Sequence, residues 1–447
     1  MVNRWMLSTT TKMFLIGVLS LLLMIPLALV YDLVRERQGL ASEAEATIAR
    51  GWGAEQRVLL PMVHLVFVRE RIENEQRIVD REERWLSARE ATAKGALKVE
   101  TRSLGMYTLP IYRADLSLQL SFETGPVTAE FATGDWQLAV SRLTFAPGDL
   151  TGLRQVRTLR VGDADLAFRP ASDRMPLSLG EGMYSEGDRA MLEAPLGAIS
   201  DMATLPVKLD IELAGARRFE MIPNASSFAF EVKGDWPHPG FAGGALPRDR
   251  EVLADGFNAN WQLLDLSTGL PPIAYSAETL RNWGGKAVGV QLVEPGGLYQ
   301  QNERSAKYGV LVLALTMAAL FLTEVLLGIR LHPFHYGLVG LALAMFYLLL
   351  LAISEHAGFT TAYLSAAAAV VCMVTGYCAA VMRSWPRGLL AGSVLAILKG
   401  FLFVLISAEQ LSLLIGALGL TTLLAIAMYL TRRIDWYSGG SNAEASP

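Results

Sequence analysis

The stretch His332–Tyr363, HPFHYGLVGLALAMFYLLLLAISEHAGFTTAY, decides the fold of this chain. From Tyr336 to Ile353 it carries no charged side chain. The length of this run is close to the roughly 20 residues that a helix needs to cross a bilayer. The polar residues Ser354–His356 end this run, and Gly358 turns the chain into a second apolar run. Because unpaired backbone amides are costly in lipid, the stretch predicts a transmembrane helical hairpin.

The same apolar pattern recurs along the chain and predicts six membrane-spanning helices. The first run follows Arg4 and Lys12, is longer than the core of a secretory signal, and lacks a small-residue cleavage site. We therefore interpret it as an uncleaved signal anchor. The predicted spans are residues 13–31, 308–327, 336–353, 360–382, 389–406 and 411–430.

The basic residues that flank these spans predict the orientation. Lysine and arginine concentrate in the cytoplasmic loops of membrane proteins. All the basic residues beside the short loops fall on one side when the N-terminus is cytoplasmic: Arg4, Lys12, Arg330, Arg383, Arg387, Arg432 and Arg433. Both termini are then cytoplasmic. The predicted segments are the N-terminus 1–12, the anchor 13–31, an outer domain 32–307, a five-helix bundle 308–433 and the tail 434–447.

The outer domain has the pattern of β-structure. Apolar and polar residues alternate over 115–122, 208–213 and 228–233, which is typical of half-buried strands. Gly125-Pro126, Gly134-Asp135 and Pro147-Gly148-Asp149 are predicted turns. We expect a mainly-β, sandwich-like domain, with two lobes as an open alternative. The fold class is thus an α+β membrane protein with the β-domain inserted between helices 1 and 2.

Two segments of the outer domain are less regular. Residues 32–50 are expected to continue helix 1 beyond the membrane, ending near Gly51-Trp52-Gly53. Residues 69–90 are densely charged. Their apolar residues repeat at heptad spacing, but the repeat covers too few heptads to predict a coiled coil. We interpret them as a solvated helix or the polar tip of a hairpin.

The composition excludes several classes of function. The 447 residues carry a net charge of −4, so no basic surface points to nucleic acid. The sequence contains no P-loop, dinucleotide-binding, zinc-protease or CxxC motif, and we expect neither an enzyme nor a cofactor. His332 and His335 lie about 30 Å of bilayer away from Glu355 and His356, so the two clusters cannot share a metal. The histidines are interpreted as interfacial residues rather than metal ligands.

Two ionisable residues fall within the predicted spans. Lys399 lies near the middle of helix 5, where an unpaired charge costs at least about 3 kcal/mol. Glu324 lies about one turn from the cytoplasmic end of helix 2. The structural interpretation is a pair between helices or a snorkelling lysine, and the functional one is an ion or proton path. A path normally needs a chain of polar residues, and the structural interpretation is favoured.

A second group of polar residues is predicted at the outer ends of the helices. Arg304 and Lys307 precede helix 2, while Glu355, His356 and Glu409 lie in the short outer loops. They are either ordinary interfacial residues or an acidic–basic seam that couples the outer domain to the bundle.

A third candidate site lies within the outer domain. Trp236-Pro237-His238-Pro239 forms either a rigid turn or an exposed recognition loop, with Trp236 and His238 as its candidate contact residues.

Several spaced motifs resemble the CreD family of bacterial inner-membrane proteins. They are Arg304-Ser305-Ala306-Lys307-Tyr308, His332-Pro333, Tyr336-Gly337-Leu338-Val339-Gly340, Ser354-Glu355-His356, Trp236-Pro237-His238-Pro239 and Tyr429-Leu430-Thr431-Arg432-Arg433. The resemblance implies a role in cell-envelope integrity, in some bacteria tied to a stress response, colicin tolerance and β-lactam sensitivity. It implies no catalytic residue.

The expected function is that of a non-enzymatic sensor or scaffold. Its expected partners are the lipid bilayer and an envelope protein or periplasmic ligand. The alternative is a transporter or small channel that uses Lys399 and Glu324.

Overall fold

The computed structural model describes residues 9–73, 75–175, 189–197, 203–294, 297–327, 329, 331–408 and 411–432. The chain divides into two compact units. The helical unit comprises residues 1–41 and 296–447, and the β unit comprises residues 42–295. The described α-helices are α1 (Thr9–Trp52), α2 (Gly125–Glu130), α3 (Asp265–Thr268), α4 (Leu298–Lys307), α5 (Gly309–Leu327), α6 (Pro333–Ala357), α7 (Phe359–Val381), α8 (Trp385–Ser407) and α9 (Ser412–Thr431).

Six of the described helices, α1 and α5–α9, are long and apolar enough to cross a membrane. The six predicted spans are therefore confirmed as helices. Helix α6 starts before the predicted span because the His332 side chain accepts a hydrogen bond from the Phe334 amide at 3.2 Å and Pro333 occupies the first turn. The amphipathic helix α4, directly before α5, was not predicted.

The core of the helical unit is built from buried apolar residues of α1 and α4–α8. Helix α1 contributes Ile16, Leu23 and Leu27, which pack with residues of α5 and α6. Gly340 of α6 allows α1 to approach closely, since a Cβ there would lie 2.1 Å from Leu23 Cδ1. Most of α9 instead exposes its apolar side chains, as expected for a helix that faces lipid.

The β unit is a sandwich of two sheets. The described strands are β1 (Gln56–Glu73), β2 (Gln76–Leu86), β3 (Ala88–Leu104), β4 (Tyr107–Glu123), β5 (Gln137–Ala146), β6 (Leu153–Val161), β7 (Ala164–Asp165), β8 (Arg169–Met175), β9 (Arg189–Pro195), β10 (Thr204–Ala216), β11 (Arg218–Ile222), β12 (Ala225–Gly234), β13 (Pro239–Gly243), β14 (Asp249–Val252), β15 (Phe257–Leu264), β16 (Ile273–Ala274) and β17 (Val288–Leu292). The first sheet has the order β13-β17-β11-β1-β5-β9-β8, with β2 paired to β1 and β16 to β2. The second sheet has the order β14-β15-β12-β3-β4-β10-β6-β7.

Both sheets contribute to a single apolar core, so the two-lobe alternative is wrong. Val63 and Leu65 of β1 join Leu116 and Leu118 of β4 in this core. Strand β1 is buried on both faces because its other face is covered by a second cluster, which includes Leu280 and Trp283 of the 3-10 helix Ala277–Lys286.

The local predictions for the β unit are mostly confirmed. The alternating segments lie in β4, β10 and β12. The charged segment is the tip of the β1–β2 hairpin, whose strands pair out to Glu73 and Gln76, so its helical alternative is wrong. The turn predicted at Gly125-Pro126 is also wrong, because the proline suits the first turn of a helix and α2 begins there.

Candidate functional site

The candidate residues fall into two polar clusters and the buried Lys399 in the helical unit, and one loop of the β unit. The first, the Glu324 cluster, joins Lys12 near the start of α1, Glu324 in the last turn of α5 and Tyr336 in the first turn of α6. The Lys12 ammonium contacts the Glu324 carboxylate, and the Tyr336 hydroxyl donates to Glu324 Oε2 at 2.6 Å. Only 13% of the Lys12 side chain and 8% of the Glu324 side chain are exposed. These contacts tie three helices together at one end of the unit.

The pair between Glu324 and Lys399, one of the two structural interpretations, is wrong. Glu324 has Lys12 as its ionic partner, and Lys399 Nζ has no hydrogen-bond acceptor among the described residues. The two residues lie at different depths. Glu324 lies at the level where α6 and α8 begin, whereas Lys399 lies 14 residues, or about 21 Å at about 1.5 Å per residue, beyond the start of α8.

Lys399 is held by aromatic rings rather than by an anion. Its side chain is 1% exposed, and Nζ lies 3.3 Å from the ring centroid of Phe346 and 4.7 Å from that of Tyr347. The Tyr363 hydroxyl donates to the Lys399 carbonyl oxygen at 2.7 Å. Rings of this kind attract a cation through their negative faces. The rings explain how a buried lysine is accommodated here. The N–H groups of Lys399 donate no hydrogen bond within the described part of the chain.

The second group, the Glu355 cluster, lies at the other end of α6. Glu355 Oε1 is 3.8 Å from Arg37 Nε of α1 and 3.5 Å from the Tyr299 hydroxyl of α4. Beside it, Asn302 Nδ2 of α4 donates to Ser354 Oγ at 2.9 Å. About 28 Å of helix separates Tyr336 from Glu355 at about 1.5 Å per residue, close to the hydrocarbon thickness of a bilayer.

The remaining residues of the predicted acidic–basic seam are placed as follows. Arg304 is half-buried and Lys307 exposed, both in the last turn of α4, and His356 is exposed in the last turn of α6. Glu409 lies outside the described residues. The structure therefore brings Glu355 to Arg37, a partner that was not predicted.

One face of α6 connects the two clusters. Tyr336, Tyr347 and Ser354 are eleven and seven positions apart, close to three and two turns of about 3.6 residues, so they share a face. All three are buried, and the Tyr347 hydroxyl has no hydrogen-bond partner among the described residues. Leu343 and Leu350 lie between them on the same face. The polar stripe is thus interrupted by apolar residues.

The two histidines at the start of α6, His332 and His335, have structural partners. His332 caps the helix, and His335 Nδ1 lies 2.6 Å from the Tyr377 hydroxyl. Over the part of the chain that the structure describes, no group of three histidine, cysteine or acidic residues could hold a metal ion.

The predicted loop of the β unit is bound to Val293, the residue that follows β17. Trp236 is half-buried against the sandwich core, and its Nε1 donates to the Val293 carbonyl at 3.1 Å. The His238 carbonyl accepts from the Val293 amide at 3.1 Å, and the His238 side chain is exposed. These contacts are those of a rigid turn. Recognition by His238 stays a prediction.

Sequence reasoning missed the ionic partners Lys12 and Arg37. Lys12 counted only as a flanking positive charge, and Arg37 as part of a helix in water. The sequence did contain a signal for both. Lys12 precedes the anchor and Arg37 follows it on the same helix, and Glu324 and Glu355 each lie in the last turn of a helix.

Six apolar helices and an inserted β-sandwich define an α+β protein of the membrane. The chain matches the family described as inner membrane protein CreD over residues 8–437. It is 31% identical over 423 residues to inner membrane protein CreD of Escherichia coli (strain K12), covering 94% of this chain and 91% of that protein. The chain therefore belongs to the CreD family of inner membrane proteins.

Proposed function

We propose that this protein supports the integrity of the cell envelope as a non-enzymatic sensor or scaffold of the inner membrane. In this proposal the β unit receives a periplasmic input, an envelope protein or ligand, and helix α1 conveys it to the helical unit. Membership of the CreD family supports the membrane and the envelope as the setting.

The continuity of α1 is the observation that carries the proposal. The helix runs from Thr9 to Trp52 without an end between the two units. In its first part, Leu23 and Leu27 pack in the bundle core. In its last part, Ala49 packs in a cluster with Leu109 and Ile111, and the Glu45 carboxylate lies 2.5 Å from Arg217 Nη2. One helix is thus anchored in both units. Its described proline, Pro26, lies among the bundle anchors, so residues 28–44 between the two anchors contain no proline, and a shift of one anchor would be transmitted to the other.

The one-sided distribution of basic residues supports a periplasmic β unit and cytoplasmic termini. Four of these basic residues lie in the described part of the chain: Lys12, Arg383, Arg387 and Arg432. The Glu324 cluster adds support, since it joins the start of α1, the end of α5 and the start of α6 at one level. Arg4, Arg330 and Arg433 lie outside the described residues.

The placement is tested with alkaline phosphatase, which is active only in the periplasm. A fusion after residue 150 is expected to be active, and a fusion after residue 433 inactive. The opposite pattern would contradict the proposed location of the β unit.

Coupling between input and bundle is proposed to involve the outer polar residues. Glu355 contacts Arg37 of α1 and Tyr299 of α4, so its contacts change when either helix moves. Arg304, Lys307, His356 and Glu409 are proposed to tune the same region. One exposed ion pair contributes only about 1 kcal/mol, so these residues adjust a position rather than hold a domain.

A transporter or small channel is the second candidate function. The specific observation in its favour is Lys399, which is buried and lies over the ring of Tyr347. Neither Lys399 Nζ nor the Tyr347 hydroxyl has a hydrogen-bond partner among the described residues. Purified protein in liposomes would show proton or ion flux that Lys399→Leu abolishes. Equal fluxes in protein-containing and empty liposomes would remove this candidate.

A further inference from the structure

Three arginines surround one tryptophan at the end of α1. The guanidinium carbons of Arg102, Arg113 and Arg154 lie 5.2, 5.3 and 4.9 Å from the ring centroid of Trp52. They come from β3, β4 and β6, three strands of the second sheet, and all three side chains are exposed. We call these four residues the Trp52 arginine cluster.

The cluster is fixed by contacts within the β unit. Ala49, one turn before Trp52, packs on Leu109 and Ile111 of β4. The Trp52 indole Nε1 donates to the Tyr112 carbonyl at 3.2 Å, and Arg154 Nη2 donates to the Trp52 carbonyl at 2.6 Å. These contacts fix Trp52 and Arg154, and the pairing of β3 with β4 brings Arg102 and Arg113 to the same ring.

The positive charges of the cluster lack carboxylate partners. None of the three arginines has a carboxylate within 4.0 Å among the described residues, whereas Arg157 nearby contacts both Asp115 and Glu212. Lys98, opposite Arg113 in the strand register, adds a fourth positive charge to the same face. The guanidinium groups lie within about 10 Å of each other, comparable with the Debye length, so their repulsion is only partly screened.

Three acidic groups oppose part of this charge. Glu100 is exposed on the same face of β3, between Lys98 and Arg102, and it forms no ion pair with either in the described part of the chain. Asp149, which accepts from the Ala54 amide two residues after Trp52, and the group of Asp115, Arg157 and Glu212 each add one net negative charge nearby. The four cations still outnumber these three negative charges.

The geometry also leaves donors available. Apart from the bond of Arg154 to the Trp52 carbonyl, none of the three guanidinium groups donates a hydrogen bond to an acceptor among the described residues, so most of their N–H groups are available. Guanidinium edges match phosphate oxygens in two-point hydrogen bonds. A singly charged carboxylate would leave most of this positive charge unbalanced, whereas a phosphomonoester or diphosphate would balance more of it.

We propose that the Trp52 arginine cluster binds a phosphomonoester or diphosphate group. A purely structural role, in which the arginines only hold Trp52 in place, accounts for their positions around the ring. It does not account for the missing carboxylates, since the β unit pairs most of its other arginines with acids. The phosphate could belong to a lipid headgroup or to a soluble compound.

The test is a calorimetric titration of the full chain, held in phosphatidylcholine nanodiscs, with inorganic pyrophosphate. The wild type binds, and added salt weakens the binding. The double variant Arg102→Gln/Arg113→Gln binds at least about tenfold more weakly, because two charged hydrogen-bond donors are lost. Arg250→Gln is the matched control. Arg250 is also exposed and stacked on a ring, that of Phe241 at 5.9 Å, but it is not in the cluster.

A second variant tests the proposal even if the double arginine variant does not fold. Lys98 makes no ring contact with Trp52, so Lys98→Gln leaves the stack intact and still weakens binding several-fold. A water-soluble, short-chain phosphatidic acid identifies the source: binding at least about tenfold tighter than pyrophosphate indicates a lipid, and equal or weaker binding indicates a soluble phosphate. The proposal is overturned by a wild type that binds neither compound, or by an equal loss in Arg250→Gln.

Discussion

Lys12 and Glu324, 312 positions apart in the sequence, contact each other where α1 begins and α5 ends. Both side chains are largely buried. Removing one member of a buried pair leaves the other charge without compensation, which is more costly than removing both.

The first prediction follows from this pair. Glu324→Gln and Lys12→Met each lower the free energy of unfolding by about 3 kcal/mol, and the double variant loses clearly less than the sum. Denaturant unfolding in detergent micelles measures the four proteins. Lys307→Met, at an exposed lysine of the helical unit, provides the control and shows no coupling to Glu324→Gln. Additive effects for Lys12 and Glu324 would show that the pair does not form.

The second prediction concerns Lys399. The variant Lys399→Leu inserts and folds at least as well as the wild type, because burying the charge costs about 3 kcal/mol and ring contacts return about 2 kcal/mol. Its effect is independent of Glu324→Gln, since the two residues are not partners. Expression level and melting temperature in detergent measure both statements. A clear loss of stability would indicate that Lys399 has a bound partner.

The third prediction is a dependence of stability on pH. His64 is buried, stacks on Trp85 with ring centroids 3.8 Å apart, and accepts a hydrogen bond from Arg142 Nε at Nδ1. Burial, and then the positive charge of Arg142, lower the pKa of His64 to about 4, against the opposing effect of Glu83. The folded state thus prefers neutral His64, and this stabilisation is present above pH 6.5 and lost as the pH falls towards 4.

The pH effect is measured by thermal unfolding at pH 7 and at pH 4.5. The wild type loses about 2 kcal/mol more than His64→Asn, which keeps an acceptor for Arg142 but does not titrate. Identical losses in the two proteins would assign the acid sensitivity to other groups, such as Asp80, whose pKa is lowered by its hydrogen bond with Arg69.

The fourth prediction uses two glycines of α8. A Cβ at Gly388 would lie 2.6 Å from backbone atoms of Ala379 in α7, whereas a Cβ at Gly400 would meet nothing within 4 Å. Gly388→Ala therefore lowers stability by about 1–3 kcal/mol, and Gly400→Ala is neutral or slightly stabilising. Melting temperatures in detergent give the comparison. Equal effects would mean that α7 and α8 do not pack this closely.

The sequence predicted the helices and strands well because their signals are local. Apolar runs and alternating residues such as those of β4 need no knowledge of distant partners. The pairing across the sheets was not predictable in this way. Strand β1 pairs in parallel with β11, more than 150 residues later, and its buried outer face gave a continuous apolar run instead of alternation.

The candidate sites were predicted less completely. Lys399, Glu324 and Glu355 were recognised because a charge within or beside an apolar run is conspicuous. Their surroundings depend on which helices pack together, so Lys12, Arg37 and the rings of Phe346 and Tyr347 were not found. The Trp52 arginine cluster needs three strands to meet the end of a helix, and no spacing in the sequence signals it.

The central claim, that α1 couples the two units, is tested most directly at Gly39. This glycine lies in α1 close to the boundary between the units, and a Cβ there would meet nothing within 4 Å. Gly39→Ala keeps the helix, whereas Gly39→Pro removes a backbone hydrogen bond and breaks or kinks it. The measurement is growth of a strain that lacks this protein, complemented by each variant under envelope stress such as a β-lactam.

Wild type and Gly39→Ala are expected to restore growth. Gly39→Pro is expected to accumulate in the membrane at the same level and to fail, since each unit folds but α1 no longer joins them stiffly. Full complementation by Gly39→Pro at normal expression would contradict the account.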